Sequence, residues 1–334
     1  MTYEVDDMID ICRRVLGAPK NAVGRFVPIT RGGSDRSYYR VYIGDETLIF
    51  LHYNREREEN NYHVPIARFL DRIGISVPAV LLHDPRSSIA VMEDLGEADL
   101  CSYRHVPWNE RRAFYYKTLT MISGLHLYPP EAFAREGVTV MKGFDLDLYR
   151  WEQDYFREHF LTAICHLDRK QVHAKGLEEE LGLLSARLLR HEKRLIHRDL
   201  QSQNIMIFRN EPVLIDFQGM RFGNPLYDLG SLLYDPYVEI TDEERLDLLS
   251  CYYRMIPQKQ AWEEFRSGFY EASAQRLMQA LGAYGFLGLT RGRTAFLDHV
   301  PQGLSHLFSA LSKIKSLPML SDTVQSCQKI IGRV

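Results

Sequence analysis

Between Leu195 and Gln218 the chain reads LIHRDLQSQNIMIFRNEPVLIDFQ. Apolar runs at Leu195-Ile196 and Ile205-Met206-Ile207-Phe208 frame a polar stretch holding His197, Arg198, Asp199 and Asn204. Val213-Leu214-Ile215 then leads into Asp216. A carboxylate, a carboxamide five residues on and a second carboxylate twelve beyond that are the parts required by phosphoryl transfer from magnesium-bound ATP. In that chemistry Asp199 accepts the proton of the attacking hydroxyl. Asn204 and Asp216 offer the hard oxygen ligands that Mg2+ prefers while it bridges the phosphates. The competing explanation is a β-hairpin whose Asp and Asn residues only form turns. It accounts for Asn210 but not for Asp216, which directly follows an apolar strand.

The elements that position these residues are read from periodicity. Residues 5–16 carry apolar positions at helical spacing, with Gly17 as the stop. Residues 26–29, 37–43 and 47–51 alternate and are rich in β-formers, which predicts an antiparallel meander. Its first connection, residues 30–36, contains Gly32, Gly33 and Ser34. Such a turn is either a plain hairpin loop or a place where glycine lets backbone N–H groups approach phosphate oxygens; the downstream motif favours the second. Pro65 is expected to open a helix through Arg72 that Gly74 ends. Two more strands follow, at residues 77–82 and 89–92, the second running into Glu93, Asp94 and Leu95. Five strands with one helix, ending in that short acidic segment, describe the small lobe of a kinase-like fold. The backbone from Glu93 to Leu95 is then the hinge that meets the adenine edge.

Downstream the pattern is helical. Helices are predicted at 109–127, at 146–161 and at 176–191. The aromatics of the second suit a core, while Trp151 and Glu152 are candidate substrate contacts, since the segment lies between hinge and polar loop. Gln201 and Gln218, beside the loop, are further candidates. Asp228 opens an apolar helix, either as its cap or as a buried carboxylate bracing the loop from behind. Residues 241–334 are mainly helical.

Composition bounds the class. The 334 residues suffice for about two domains. A net charge of −3 gives no electrostatic footprint for nucleic acid or acidic membranes. The acidic start, Glu4-Val5-Asp6-Asp7, does not look like a signal peptide, and no apolar run approaches the roughly 18 residues a membrane span needs. Five scattered cysteines, never in CxxC spacing, argue against a disulfide framework or a zinc site and suit a reducing cytoplasm.

With HRDLQSQN (197–204), IDFQ (215–218), GGSDRSYYRV (32–41), MEDLG (92–96) and NPLYDLGSLL (224–233), the chain resembles the aminoglycoside phosphotransferase/choline kinase superfamily. A narrower likeness, to the bacterial anomeric sugar kinases acting on N-acetylmuramate and N-acetylglucosamine in cell-wall recycling, rests on HRDLQSQN, Gln218 and residues 281–302. The resemblance implies an α+β, bilobal protein-kinase-like fold. Residues 1–96 are its small antiparallel-sheet lobe and residues 97–334 its larger helical lobe. It implies ATP and Mg2+ as cofactors, Asp199 as base, Asn204 and Asp216 as metal ligands, Gly32, Gly33 and Ser34 as phosphate loop, and Glu93 and Leu95 in the hinge. The partner is a small molecule, a sugar or amino sugar, rather than nucleic acid or membrane.

One departure stands out. Strand 47–51 reads TLIFL and lacks the lysine that most of the superfamily places there, so Arg31, Arg36 or His52 takes over its phosphate contact, or the site works without it; Glu58 and Glu59 are the candidate acidic partners. A protein kinase is disfavoured by the absence of GxGxxG, VAIK and an APE-ended segment. An aminoglycoside kinase calls for an excess of acid from residue 229 onward, where acidic and basic residues balance. A pseudokinase-like regulatory module is supported by the missing lysine and opposed by the intact Asp199, Asn204 and Asp216.

Overall fold

A computed structural model describes residues 5–29, 36–257 and 260–332. Helix α1 (Val5–Leu16) ends where expected, with Gly17 in the left-handed region at φ 64°. Strands β1 (Gly24–Ile29), β2 (Ser37–Ile43) and β3 (Glu46–His52) form the predicted meander. After α2 (Glu58–Arg72), β4 (Val80–Asp84) and β5 (Ile89–Glu93) complete an antiparallel sheet in the order β1-β2-β3-β5-β4. Alternation sorts the side chains. Leu48, Phe50, Ile89 and Val91 pack with Met8, Ile9 and Cys12 of α1, while Leu51, Ala90 and Met92 pack with Val64 of α2. The sheet is therefore covered on both faces, by α1 and by α2.

Two boundaries in this half differ from expectation by three residues or more. Helix α2 begins at Glu58, seven residues before Pro65, which sits inside it. Proline inside a helix loses its N–H bond and crowds the carbonyl four residues back, a cost that burial of Asn60, His63 and Val64 offsets. Strand β4 begins at Val80 rather than 77, because Pro78 cannot donate to a ladder.

The remaining chain is largely helical: α3 (Trp108–His126), the single turn α4 (Pro130–Phe133), and α5 (Leu146–Phe156), which a π turn extends to Thr162. The short α6 (Arg169–Val172) and α7 (Lys175–Leu188) follow. Four short strands come next: β6 (Arg194–Ile196), β7 (Ile205–Phe208), β8 (Glu211–Leu214) and β9 (Arg221–Gly223). β7 and β8 form a hairpin across Arg209 and Asn210, both at positive φ, as a two-residue primed turn requires. β6 pairs instead with β9, so the polar loop is closed from both sides.

Helices α8 (Leu226–Leu233), α9 (Asp242–Met255), α10 (Trp262–Gly285), α11 (Val300–Leu311) and α12 (Pro318–Ile331) complete the chain. Every residue from Gly268 to Gly282 is buried, which makes α10 the axis of this half, with α5, α8 and α11 packed around it. Gly230 lets α8 approach α10 closely, since a Cβ there would lie 2.8 Å from Ser273 Cα. A buried helix carrying Glu271, Gln275, Arg276 and Gln279 needs partners for those groups. They lead to the loop.

Candidate active site

Three hydrogen bonds draw the motif residues together. Asn204 Nδ2 donates to the carbonyl of Asp199 at 2.9 Å, and the Asn204 carbonyl accepts from Ile215 N–H at 3.0 Å. His197 Nε2 donates to the Ile215 carbonyl at 3.0 Å. The β7–β8 hairpin thus carries Asn204 and Asp216 back beside Asp199, because Ile205 pairs with Leu214 at its open end.

The loop backbone is clamped by two buried carboxylates. Asp228, fully buried on α8, accepts from His197 N–H and Arg198 N–H, both at 2.7 Å, and lies 3.1 Å from His126 Nε2. It is the bracing carboxylate of the two alternatives raised by the sequence; Pro225 occupies the cap. Asp235 accepts from Ser202 N–H at 2.7 Å and Tyr237 N–H at 3.0 Å. Burial pushes its carboxyl up to about 6, against the pull of those hydrogen bonds. Between the clamps Arg198 is held at φ 78°, a conformation costing an ordinary residue about 1–3 kcal/mol.

Each site carboxylate carries an arginine on one oxygen. Arg276 Nη2 lies 2.5 Å from Asp199 Oδ1, and Arg36 Nη2 lies 2.5 Å from Asp216 Oδ1, which also accepts from Gln218 Nε2 at 2.9 Å. Burial works to raise the Asp216 carboxyl, but the Arg36 charge and the hydrogen bonds from Gln218 and Arg36 outweigh it and hold it below its ordinary range. Asp216 itself is left-handed, at φ 61°. No described residue donates to Asp199 Oδ2, Asp216 Oδ2 or Asn204 Oδ1. Among the described residues no group of three or more His, Cys, Asp or Glu forms a metal cage. Asn204 Oδ1 and Asp216 Oδ2 are hard oxygens of the kind Mg2+ takes, and could hold that ion together with phosphates and water.

The remaining candidates separate. Glu152 is fully buried, with Tyr227 Oη at 2.8 Å, Gln275 Nε2 at 3.1 Å and Arg198 Nη2 at 3.8 Å. Burial raises its carboxyl. Trp151, its neighbour, is 51% exposed and stacks on Tyr155 at 5.1 Å, away from that network. Gln218 is buried against Asp216, whereas Gln201 lies on the loop with its backbone N–H on the Asp199 carbonyl. Glu93 ends β5 and Leu95 is buried just beyond, where Arg40 grips Asp94 through Nε at 2.7 Å and Nη2 at 3.1 Å. Gly32, Gly33, Ser34 and Arg31 lie outside the described residues. Of the lysine substitutes considered, Arg36 reaches the site, and Glu59, in the first turn of α2, adds its field to that guanidinium. From α2, His63 stacks on Phe217 at 4.9 Å.

Arg276 and Asp235 were not singled out in the sequence. A signal for Arg276 existed in the run Gln275-Arg276…Gln279, polar residues within a helix of small and apolar ones.

Residues 25–266 match the phosphotransferase enzyme family, which is most of the chain. The chain belongs to that family. Among curated relatives of this phosphotransferase is an N-acetylmuramate/N-acetylglucosamine kinase of Pseudomonas aeruginosa, 23% identical over 90% of this chain and 88% of the relative. Another, of the same name from Neisseria meningitidis, is 24% identical over 81% of each. Solved structures with the same fold include a choline kinase from Cryptosporidium parvum, with TM-score 0.63, 13% identity and coverage of 98% of this chain and 99% of that one. An ADP-bound aminoglycoside phosphotransferase has TM-score 0.57 and 14% identity, with coverage of 97% and 98%. The phosphotransferase therefore has the expected kinase-like fold, a small antiparallel-sheet lobe followed by a larger helical one. Among the described residues no helix is long and apolar enough to cross a membrane.

Proposed function

We propose that this phosphotransferase is an ATP- and Mg2+-dependent small-molecule kinase acting on a sugar hydroxyl, the anomeric hydroxyl of an amino sugar such as N-acetylmuramate or N-acetylglucosamine. The observation that carries the reading is the set of hydrogen bonds of 2.9–3.0 Å that tie Asn204 to the Asp199 carbonyl and bring Ile215, the residue before Asp216, against Asn204 and His197. The names of the curated relatives support the acceptor class.

In this reading Asp199 Oδ2 receives the hydroxyl proton, with the acceptor about 3 Å away and in line with the γ-phosphate. Asn204 Oδ1 and Asp216 Oδ2 would hold the magnesium ion, which would supply charge neutralisation on the phosphates. Residues 1–96 form the nucleotide side, with Gly32, Gly33 and Ser34 against the phosphates and the Glu93–Leu95 backbone at the adenine edge. Residues 97–334 carry the loop and the acceptor pocket. Glu152 acts on Arg198 and the loop rather than on the acceptor, and Gln218 orients Asp216.

A coupled ADP-release screen over amino sugars, muramic acid derivatives, aminoglycosides and choline identifies the acceptor, and NMR of the product shows whether it is a 1-phosphate. Asp199→Asn is expected to retain ATP binding and lose nearly all turnover. Turnover near the wild-type rate in that variant removes Asp199 from its role; an aminoglycoside or choline as best acceptor removes the sugar.

A further inference from the structure

Arg276 lies beyond residues 25–266, the stretch that matches the family, yet it makes the shortest side-chain contact to Asp199. Its guanidinium is held at three points. Nη2 meets Asp199 Oδ1 at 2.5 Å, Nη1 meets Gln279 Oε1 at 2.7 Å, and Nε meets Ser231 Oγ at 3.2 Å. Arg276, Gln279 and Ser231 are all buried. Ser231 sits one helical turn after Asp228 on α8, so the helix that clamps the loop backbone also fixes the guanidinium.

We infer that Arg276 is the positioning residue of the Asp199 carboxylate, fixing which oxygen faces the acceptor hydroxyl; this rests on the proposed role of Asp199. The reasoning is geometric. The terminal torsion of an aspartate is broad and roughly two-fold, so backbone clamping alone does not choose between its oxygens. The Asp199 side chain is 26% exposed and water can solvate it without any partner. A rigid three-point guanidinium on Oδ1 removes that freedom and leaves Oδ2 for the acceptor. A buried ion pair is a poor device for stability, because an apolar side chain of similar volume usually serves as well. What an apolar residue cannot do is hold the carboxylate in one orientation.

The experiment measures ATP·Mg turnover on N-acetylmuramate and N-acetylglucosamine, ATP dissociation constants and thermal midpoints. It compares Arg276→Met, Arg276→Lys, Arg276→Ala, Asp199→Asn and the Asp199→Asn/Arg276→Met double variant. Arg276→Met is expected to keep ATP affinity and acceptor KM and to lose about 100-fold in kcat, the scale of a 1 Å misplacement. Added guanidinium ion should restore part of the loss in Arg276→Ala, and the double variant should be no slower than Asp199→Asn alone. Wild-type kcat in Arg276→Met, beside an inactive Asp199→Asn, overturns the inference and leaves a structural ion pair. If Arg276→Met does not fold, Arg276→Lys decides: lysine keeps the charge but cannot span three partners, so unchanged kcat there overturns the inference too. An active Asp199→Asn instead refutes the underlying reading, and the two failures are distinct.

Discussion

Replacing Asp228 by asparagine tests how the loop is held. The carboxylate is wholly buried and accepts two backbone hydrogen bonds at 2.7 Å from consecutive residues, His197 and Arg198. Hydrogen bonds to a charged acceptor contribute roughly 1.5–3 kcal/mol each. Asparagine keeps one acceptor oxygen and turns its NH2 toward the other N–H, which removes one bond and leaves a buried donor unpaired at about 1–3 kcal/mol. The expected destabilisation is therefore about 2.5–6 kcal/mol, a large share of the roughly 5–15 kcal/mol a protein typically has. The same clamp holds Arg198 at φ 78°, and its loss lets that residue relax and carry Asp199 with it. Turnover should fall by about 100-fold even at temperatures where the variant remains folded. Urea unfolding gives the first quantity; ADP release at low temperature, with nucleotide binding as the folding control, gives the second. A variant within roughly 0.5 kcal/mol of wild type, the range of an ordinary surface substitution, and with undiminished kcat would refute the clamp.

Asp216→Asn should abolish the strengthening of nucleotide binding by Mg2+ while leaving metal-free binding close to wild type, as read by titration of a fluorescent ATP analogue with and without the ion. His63 and His306 are each pushed down to about 4, mainly by burial. Their folded values lie below the unfolded value of about 6.5, so the unfolded state takes up the proton first and stability falls as pH drops from about 6.5 toward 4. At pH 5 each should contribute a loss of about 2 kcal/mol, and His63→Phe, which keeps the stack on Phe217, should lose less stability than wild type between pH 7 and pH 5. Parallel losses in the two proteins would exclude His63 as a contributor.

The site was legible in sequence wherever chemistry is tied to local spacing. Asp199, Asn204 and Asp216 stand in one short stretch, and a hairpin between apolar strands has few ways to arrange them. The alternation of residues 37–52 and 89–93 similarly fixes which side chains face α1 and which face α2. What the sequence did not reveal depends on distant pairing. Arg36 meets Asp216 across 180 positions and Arg276 meets Asp199 across 77, and no periodicity encodes such a contact. Trp151 and Glu152 show the converse limit. Adjacent helical residues point about 100° apart, so one enters the buried network at Arg198 and the other stands in solvent on Tyr155. The start of α2 was misplaced because proline was read as an opener, when packing of the preceding turn on the sheet decides the matter.

The two arginines also explain how a pair of carboxylates can share one partly buried site. Asp199 and Asp216 are both carried next to Asn204, and like charges brought together out of water favour protonation of one of them. A protonated Asp216 would be a poor ligand for the metal ion proposed there. Each acid is instead matched by its own guanidinium, and the two guanidinia come from different halves of the molecule. Arg36 stands immediately before β2 of the sheet, and Arg276 lies in the buried axis of the helical half. Because Arg36 on the sheet pairs with Asp216 beyond β8, docking of the sheet on the helices supplies the charge that Asp216 needs. The Arg276 contact to Asp199 lies within the helical half. The cation facing Asp216 is Arg36, just before β2, and Glu59 of α2 adds its field to that guanidinium.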